Sequence, residues 1–280
     1  MIDLHLHTTA SDGHCAPVDL VGRVHAAGVT TFAITDHDTV AGTVEARPHA
    51  EQLGLTLVPG IEITAVWGGR DVHVLGYWID VAHAPLQVFL ESQRGRRVER
   101  LHAIGAALQR AGVAIDLGPL LQEVAARPGA SIGRPAMARA LVEAGHVASV
   151  QDAFDLWLGE GRPGYVLRQG LPPEEICAVI HAAGGLASLA HPAVTRRDEM
   201  ISAWAQAGLD ALEVFHSDHD QGAETRYLAQ AAELGLAVSG GSDFHGDPGS
   251  SRWSRRVIGG ASLPDAHFQH LRARVPERAA

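Results

Sequence analysis

The sequence predicts an α/β fold, a TIM-like β/α barrel with an inserted helical subdomain. Short apolar runs alternate with helical stretches at α/β spacing. Each of several runs ends in His, Asp or Glu, as expected where a parallel barrel gathers the loops at its strand C-termini into one pocket. Between about residues 85 and 165 only helical periodicity remains, which is too long for a barrel connection and marks an insertion.

Ile2 to His7 reads as the first strand. Side chains alternate faces along a strand, so His5 and His7 project to one side and Leu4 and Leu6 to the other. A polar loop carries Asp12, and Pro17 to Ala27 is a helix closed by Gly28. Thr30 to Thr35 is a strand entering Thr35-Asp36-His37-Asp38, and Thr43 to Leu53 a helix ended by Gly54. Leu55 to Val58 leads into a loop holding Glu62, and Asp71 to Tyr77 is a strand carrying His73. Helical stretches follow at Val88 to Ala111, Leu117 to Ala126, Arg134 to Glu143 and Val150 to Leu158. They assign residues 85–165 to an inserted lid or substrate-binding subdomain, and residues 1–84 and 166–280 to the barrel. Pro172 to Ala182 is then a helix, Leu186 to Ala190 a strand ending at His191, and Arg197 to Ala207 a helix. Ala211 to Phe215 is a strand ending at His216, Glu224 to Leu234 a helix stopped by Gly235, and Ala237 to Gly240 leads to Ser242-Asp243-Phe244-His245. The arginine-rich tail from Ser254 onward is assigned no function.

A chain of 280 residues, 46% hydrophobic, can bury a large core. Its formal charge of −10 argues against binding long nucleic acid or an anionic membrane, so any phosphate contact must be local. All 22 basic residues are arginine, which excludes lysine Schiff-base chemistry. Cys15 and Cys177 form no CxxC pair or disulfide framework. With no membrane-length apolar run and no leader before the first strand, the expected location is cytoplasmic. No feature resembles a dimer seam, and a monomer is expected.

Within the insertion, Gly129-Ala-Ser131-Ile-Gly133-Arg134-Pro135 precedes a helix. Pro135 suits a first helical turn, whose free N–H groups with Ser131, Gly133 and Arg134 would cradle a phosphate. A plain helix cap with a surface arginine is the alternative. A second loop, Gly159 to Tyr165, carries Arg162. His216 ends a strand at pocket depth, while other histidines, His219 among them, read as surface or capping residues.

Taken in order, His5-Leu-His7, Asp12-Gly13, Thr35-Asp36-His37-Asp38, Gly60-Ile61-Glu62, His73, Ala190-His191-Pro192 and Ser242-Asp243-Phe244-His245 resemble the motifs of the polymerase-and-histidinol-phosphatase (PHP) family. The resemblance covers residues 2–78 and 165–250. It implies a distorted seven-stranded barrel that holds two or three divalent metals and hydrolyses phosphoesters. The insertion, with Ser131-Ile-Gly133-Arg134-Pro135 and Arg162-Pro163, looks most like the branch that removes the 3′-phosphate of nucleoside 3′,5′-bisphosphates. Some members of that branch trim short RNA from its 5′ end. The branch carries His after Gly-Arg-Pro, where this chain has Ala136.

Residue by residue, the resemblance implies one metal on His5, His7, Glu62 and Asp243, and a second on Glu62, His73 and His191. Asp12, His37 and His245 would hold a third ion or contact the phosphate. Imidazole and carboxylate donors suit Mn²⁺, taken first, as well as Fe²⁺ or Zn²⁺. The implied chemistry is in-line attack of hydroxide on phosphorus, with Glu62, Asp243, His245 and Arg134 as the catalytic set and His245 or His216 as the acid. Asp12, Ser131, Gly133, Arg134, Arg162 and His216 are the candidate substrate contacts. A 5′-to-3′ exoribonuclease, a histidinol-phosphate phosphatase and a non-catalytic metal-binding module are the alternatives.

Overall fold

Seven strands lie side by side in chain order: β1 (Ile2–Leu6), β2 (Thr31–Ile34), β3 (Thr56–Trp67), β4 (Arg70–Tyr77), β5 (Leu186–Leu189), β6 (Ala211–His216) and β7 (Ala237–Gly241). The computed structural model describes residues 1–246 and 256–276. The segment after β7 runs parallel alongside the end of β1, with the Asp243 N–H on the His5 carbonyl (2.8 Å) and the His7 N–H on the Phe244 carbonyl (2.9 Å). Buried Asp3 ties the same seam by accepting the Ser242 and Gly259 N–H groups, each at 2.8 Å. The result is a nearly closed seven-stranded barrel. β1, β5 and β7 are buried along their whole length, polar Asp3, His5, Ser188 and Ser239 included.

The strands are not all parallel, which corrects the expectation of a parallel barrel. β4 pairs antiparallel with both β3 and β5, while the other pairs are parallel. The cause is Gly68-Gly69, both at positive φ (56° and 76°), a two-residue turn that only glycine enters without strain and that folds β3 back on itself as a hairpin. Glu62 therefore sits inside a long strand and not in a loop, while His73 lies on the strand expected for it.

Helices α1 (Pro17–Ala26), α2 (Ala41–Gln52), α7 (Pro173–Ala182), α9 (Asp198–Gln206) and α10 (Gln221–Leu234) wrap the sheet, and α8 (Pro192–Thr195) is a single turn after β5. α10 shows how local chemistry sets its ends: Asp220 caps it by accepting the Ala223 N–H (2.8 Å), and Gly235 leaves it in the left-handed region.

Because β4 runs backwards, the chain leaves it at the end of the barrel far from the loops of the parallel strands. α3 (Ala84–Arg110) brings it back. Its 27 residues make a rod of about 40 Å. Its buried stripe is Leu86, Leu90, Gln93, Arg97, Leu101, Ile104 and Leu108, at helical spacing and polar only at the middle. Leu86 and Leu90 pack in the barrel core, whereas Leu101, Ile104 and Leu108 belong to a separate core with Met137, Leu141 and Leu158. That second core is completed by α4 (Gly118–Ala125), α5 (Arg134–Glu143) and α6 (Val150–Ala153), the last running into a π-helical turn at Phe154–Leu158.

The C-terminal segment is more than the tail expected from Ser254 onward. α11 (Asp265–Arg272) seats Phe268 and Leu271 in the barrel core. Arg256 is buried against the end of β7, while Ser254, Arg255 and residues 277–280 lie outside the described residues. Among the described residues no helix is long and apolar enough to cross a membrane. Both cysteines are buried, and they are not joined in a disulfide.

Candidate metal centre

His5 and His7 face the barrel interior from the C-terminal end of β1, as period-two alternation requires. His37 follows β2, His191 follows β5, and Asp243 and His245 follow β7, so all lie where parallel strands end. Glu62 and His73 reach the same point from the hairpin. The backbone bends to allow this: among the described residues five non-glycine positions have positive φ, and Asp38, His191 and Asp243 are three of them.

Glu62 is the hub. Its Oε2 lies 3.5 Å from His5 Nε2, 3.3 Å from His7 Nε2 and 3.0 Å from His37 Nδ1. Its Oε1 lies 2.8 Å from His73 Nδ1 and 3.2 Å from His191 Nε2. Asp243 Oδ1 completes the first group, 3.4 Å from His5 Nε2 and 3.2 Å from His7 Nε2. Asp12 gathers His245 Nε2 at 3.4 Å and His37 Nε2 at 3.7 Å. His37 thus stands between the second and third groups.

A divalent cation fits these donors. Buried His5 Nε2, His7 Nε2, His37 Nδ1 and His73 Nδ1 lack aligned hydrogen-bond partners although carboxylate oxygens lie beside them. Such orphaned polar atoms are costly unless something binds them. Tetrahedral and octahedral ligands stand about 3.0–3.4 Å apart around a cation with bonds of about 2.1 Å, close to the spacings found here.

Sequence reasoning singled out His216 in the layer behind but missed Glu213 and Arg256. Glu213, fully buried on β6, places Oε1 2.9 Å from His5 Nδ1 and accepts the His191 N–H through Oε2 (2.7 Å). His216 accepts the Asp218 N–H at Nδ1 (3.0 Å), so its proton sits on Nε2, 3.2 Å from Asp243 Oδ2. Buried Arg256 holds the same Asp243 oxygen and Asp218. A bulge in β6 between Glu213 and Phe215 turns both Glu213 and His216 inward, three residues apart, where strict alternation would oppose them. His219, read as a surface residue, is buried, with Nδ1 2.7 Å from the Val214 carbonyl.

A cleft of about 410 Å³ opens over the cluster. Its other wall is rich in arginine. Arg134 Nη2 lies 3.1 Å and Arg168 Nε 3.2 Å from opposite oxygens of Asp71, with Arg100 Nη1 at 3.6 Å. Arg97 donates to Asp38 (2.5 Å) and to Thr64 Oγ1 (3.0 Å). Burial opposes the charge of Asp71, but Arg168, Arg134 and Arg100 outweigh it and hold the carboxyl well below its usual range. Burial and the neighbouring Arg97 bring Arg168 down to about 10, still charged at neutral pH. Of the expected substrate contacts, Asp12 and Arg134 line the cleft. Ser131 is buried, its N–H on the Ala10 carbonyl (2.8 Å); Gly133 lies against Arg97; Arg162 is exposed; His216 is behind Asp243. Arg168, Arg97 and Arg256 line the cleft without having been singled out, since isolated arginines carry no local signal.

The imidazoles divide in protonation. Burial pushes His7 down, but the carboxylates of Asp243 and Glu62 outweigh it and carry its pKa up to about 10. His5 is raised likewise against burial, by Glu213, Asp243 and Glu62. His37 falls to about 3 and His191 to about 4, in each case mainly through burial. A cation takes only unprotonated imidazole, so at pH 7 it displaces protons from His5 and His7 and none from His37 or His191. Apparent affinity for Mn²⁺ is therefore expected to climb between pH 6 and 8, by about tenfold per unit for each displaced proton. Calorimetric titrations at three pH values check this, and a flat profile would remove His5 and His7 as ligands.

Comparison with known proteins finds that the PHP domain model matches residues 3–110. The chain is 38% identical over 250 residues to the 5′-3′ exoribonuclease Rnm of Escherichia coli, covering 87% of this chain and 84% of that one. It is 35% identical over 249 residues to a 3′,5′-nucleoside bisphosphate phosphatase of Chromobacterium violaceum, covering 87% of each. The solved structure of a candidate metal-dependent phosphoesterase from Bifidobacterium adolescentis superposes with a TM-score of 0.87 at 32% identity, over 99% of this chain and 96% of the other.

Proposed function

We propose that this chain, which belongs to the PHP-domain family of metal-dependent phosphoesterases, removes the 3′-phosphate from nucleoside 3′,5′-bisphosphates, leaving the 5′-monophosphate and phosphate. The observation that carries this reading is a cleft with two poles: imidazoles and carboxylates around Glu62 on one side, Arg134 and Arg168 on the other. The ester to be cut belongs at the first pole, and the second phosphate meets the guanidinium groups. These arginines would repel the cation of histidinol phosphate.

His5, His7, Glu62 and Asp243 would hold one divalent cation, and Glu62, His73 and His191 a second, with Asp12, His37 and His245 left for a third. The donors suit Mn²⁺ first, then Fe²⁺ or Zn²⁺. Such cations supply Lewis acidity and a water ionised near neutral pH. The chain supplies orientation and charge. Arg134 and Arg168 can exchange Asp71 for a phosphate, which offers the same planar donors more charge. His245 Nδ1 lies 2.8 Å from the Asp243 carbonyl and must donate to it, so the neutral ring presents Nε2 as a lone pair. It can protonate a leaving 3′-oxygen only as imidazolium. His216, turned toward Asp243, serves that carboxylate and not the leaving group. We take the enzyme to be a cytoplasmic monomer, with the α3–α6 insertion as the substrate-binding wall.

Likeness to the exoribonuclease of Escherichia coli favours a second reading, in which the same poles grip the 5′ end of short RNA. One experiment separates them. Phosphate release by Mn²⁺-loaded protein is compared for adenosine 3′,5′-bisphosphate, 3′-AMP, 5′-AMP, histidinol phosphate and a 5′-phosphorylated dinucleotide. The bisphosphate is expected to win by orders of magnitude; a preference for the dinucleotide makes the enzyme primarily a nuclease. In the same assay Arg134→Ala should raise KM for the bisphosphate about ten- to a hundredfold and spare 3′-AMP. Equal loss on both would mean that Arg134 does not read the second phosphate.

A further inference from the structure

We propose that Glu213 is a positioning residue that sets His5 and His191 as cation ligands at once, by acting as a double hydrogen-bond acceptor behind them. The carboxylate lies wholly inside the barrel on β6. One oxygen is 2.9 Å from His5 Nδ1, and the other takes the backbone N–H of His191 at 2.7 Å. The second donor is unambiguous, because a backbone N–H can only donate. The first follows from the far side of the ring. His5 Nε2 faces Glu62 and Asp243 with no hydrogen-bond partner, so a cation there needs a lone pair on Nε2, which leaves the proton on Nδ1, facing Glu213.

The two ligands have different problems, and one side chain answers both. His5 has two tautomers, of which only one can ligate. His191 has a backbone at φ 29°, outside the comfortable range of a non-glycine residue, and its amide is tethered in that conformation by Glu213. His5 belongs to the first donor group and His191 faces the opposite oxygen of Glu62. Glu213 therefore links the two halves of the centre through a part of the barrel that no substrate touches. His5, Glu213 and His216 also approach each other as three donors might around an ion. The 2.9 Å contact is a hydrogen bond, however, and His216 is engaged with Asp218 and Asp243, so the trio supports the centre rather than forming another.

The test is Glu213→Gln, which keeps the volume but offers one acceptor and one donor. The His191 N–H claims the amide oxygen, and the amide NH₂ then faces His5 Nδ1. Two donors cannot face each other, so the His5 proton moves to Nε2 and blocks it. The variant is expected to fold and to melt within a few degrees of the unmodified protein. Elemental analysis after loading with Zn²⁺ or Mn²⁺ should find one cation fewer, or affinity for it weaker by about ten- to a hundredfold. Nitrogen-15 spectra of the Zn²⁺-loaded variant should show the His5 proton on Nε2. Glu213→Ala, which places no donor against Nδ1, should bind that cation better than Glu213→Gln.

A purely space-filling role gives the reverse order, and that order overturns the proposal, as does a full cation complement at unchanged affinity in Glu213→Gln. The inference rests on reading the cluster as a cation centre but not on any substrate. An unmodified protein that binds no divalent cation overturns both, whereas a cation-loaded protein with an unaltered Glu213→Gln variant overturns this proposal alone.

Discussion

Glu62→Gln is expected to lower turnover by several orders of magnitude while leaving the fold intact. Glu62 is almost fully buried and turns one oxygen to His5, His7 and His37 and the other to His73 and His191. Burial opposes its charge, but His37, His73 and His5 outweigh it and hold the carboxyl well below its ordinary value. The amide keeps the shape, loses the charge and turns a donor toward one set of imidazoles. Cations held by this carboxylate would lose a ligand, and the reacting phosphate would lose the electrostatic stabilisation they supply. Steady-state kinetics beside a cation count decide the matter. Near-normal activity with both cations still bound would end the bridging role.

Arg97→Ala should produce the largest loss of stability. Arg97 is buried midway along α3 and clamps Asp38, itself fully buried, while also reaching Thr64 Oγ1 and the Ile132 carbonyl. Removing it leaves a buried carboxylate with Arg168 Nη1 4.0 Å away, while Arg94 is turned to the Asp38 carbonyl (3.3 Å). Breaking such a pair costs about 3–5 kcal/mol, because the orphaned charge cannot regain water. A fall in Tm of roughly 10 °C follows for a chain of this size. The double variant Arg97→Met with Asp38→Asn should recover much of it, since neither charge is then stranded. Burial works against the Asp38 charge, yet Arg97 and Arg168 keep its pKa below 3.8. The stabilisation is therefore complete above that value and is lost only as pH falls through the lowered one. A single variant that melts like the unmodified protein would show that Arg97 is no clamp.

The parts of the centre that were legible in the sequence share one property: their partners follow from local periodicity. His5 and His7 needed only strand alternation, and His37, His191 and Asp243 needed only the ends of apolar runs. The second half of the hairpin reads as a strand from Asp71 to Tyr77, but the half that carries Glu62 reads as a loop, although Gly68-Gly69 between the two runs signals the turn. Glu213 was hidden by the β6 bulge, which breaks the period of two on which face assignments depend, whereas His216 was legible as the end of an apolar run. Arg168 and Asp71 are almost a hundred residues apart and meet only in three dimensions. Arg256 sits in a segment whose composition resembles a disordered tail, although α11 beyond it anchors the chain to the barrel.

The length of α3 has a mechanical side. Its first turns are fixed in the barrel core and its last ones carry a core of their own, so it behaves as a lever with Arg97 near the fulcrum. Over the arm of about 20 Å from Arg97 to the end of the helix, a tilt of about 5° carries the far end through about 1.7 Å, roughly one bond length. Arg134 on α5 is borne by the far side of that pivot and the imidazole cluster by the barrel, so the gap between them is set by an angle. Small changes in packing at Leu86 or Leu90, remote from any reacting atom, would then be magnified into a different preferred substrate length.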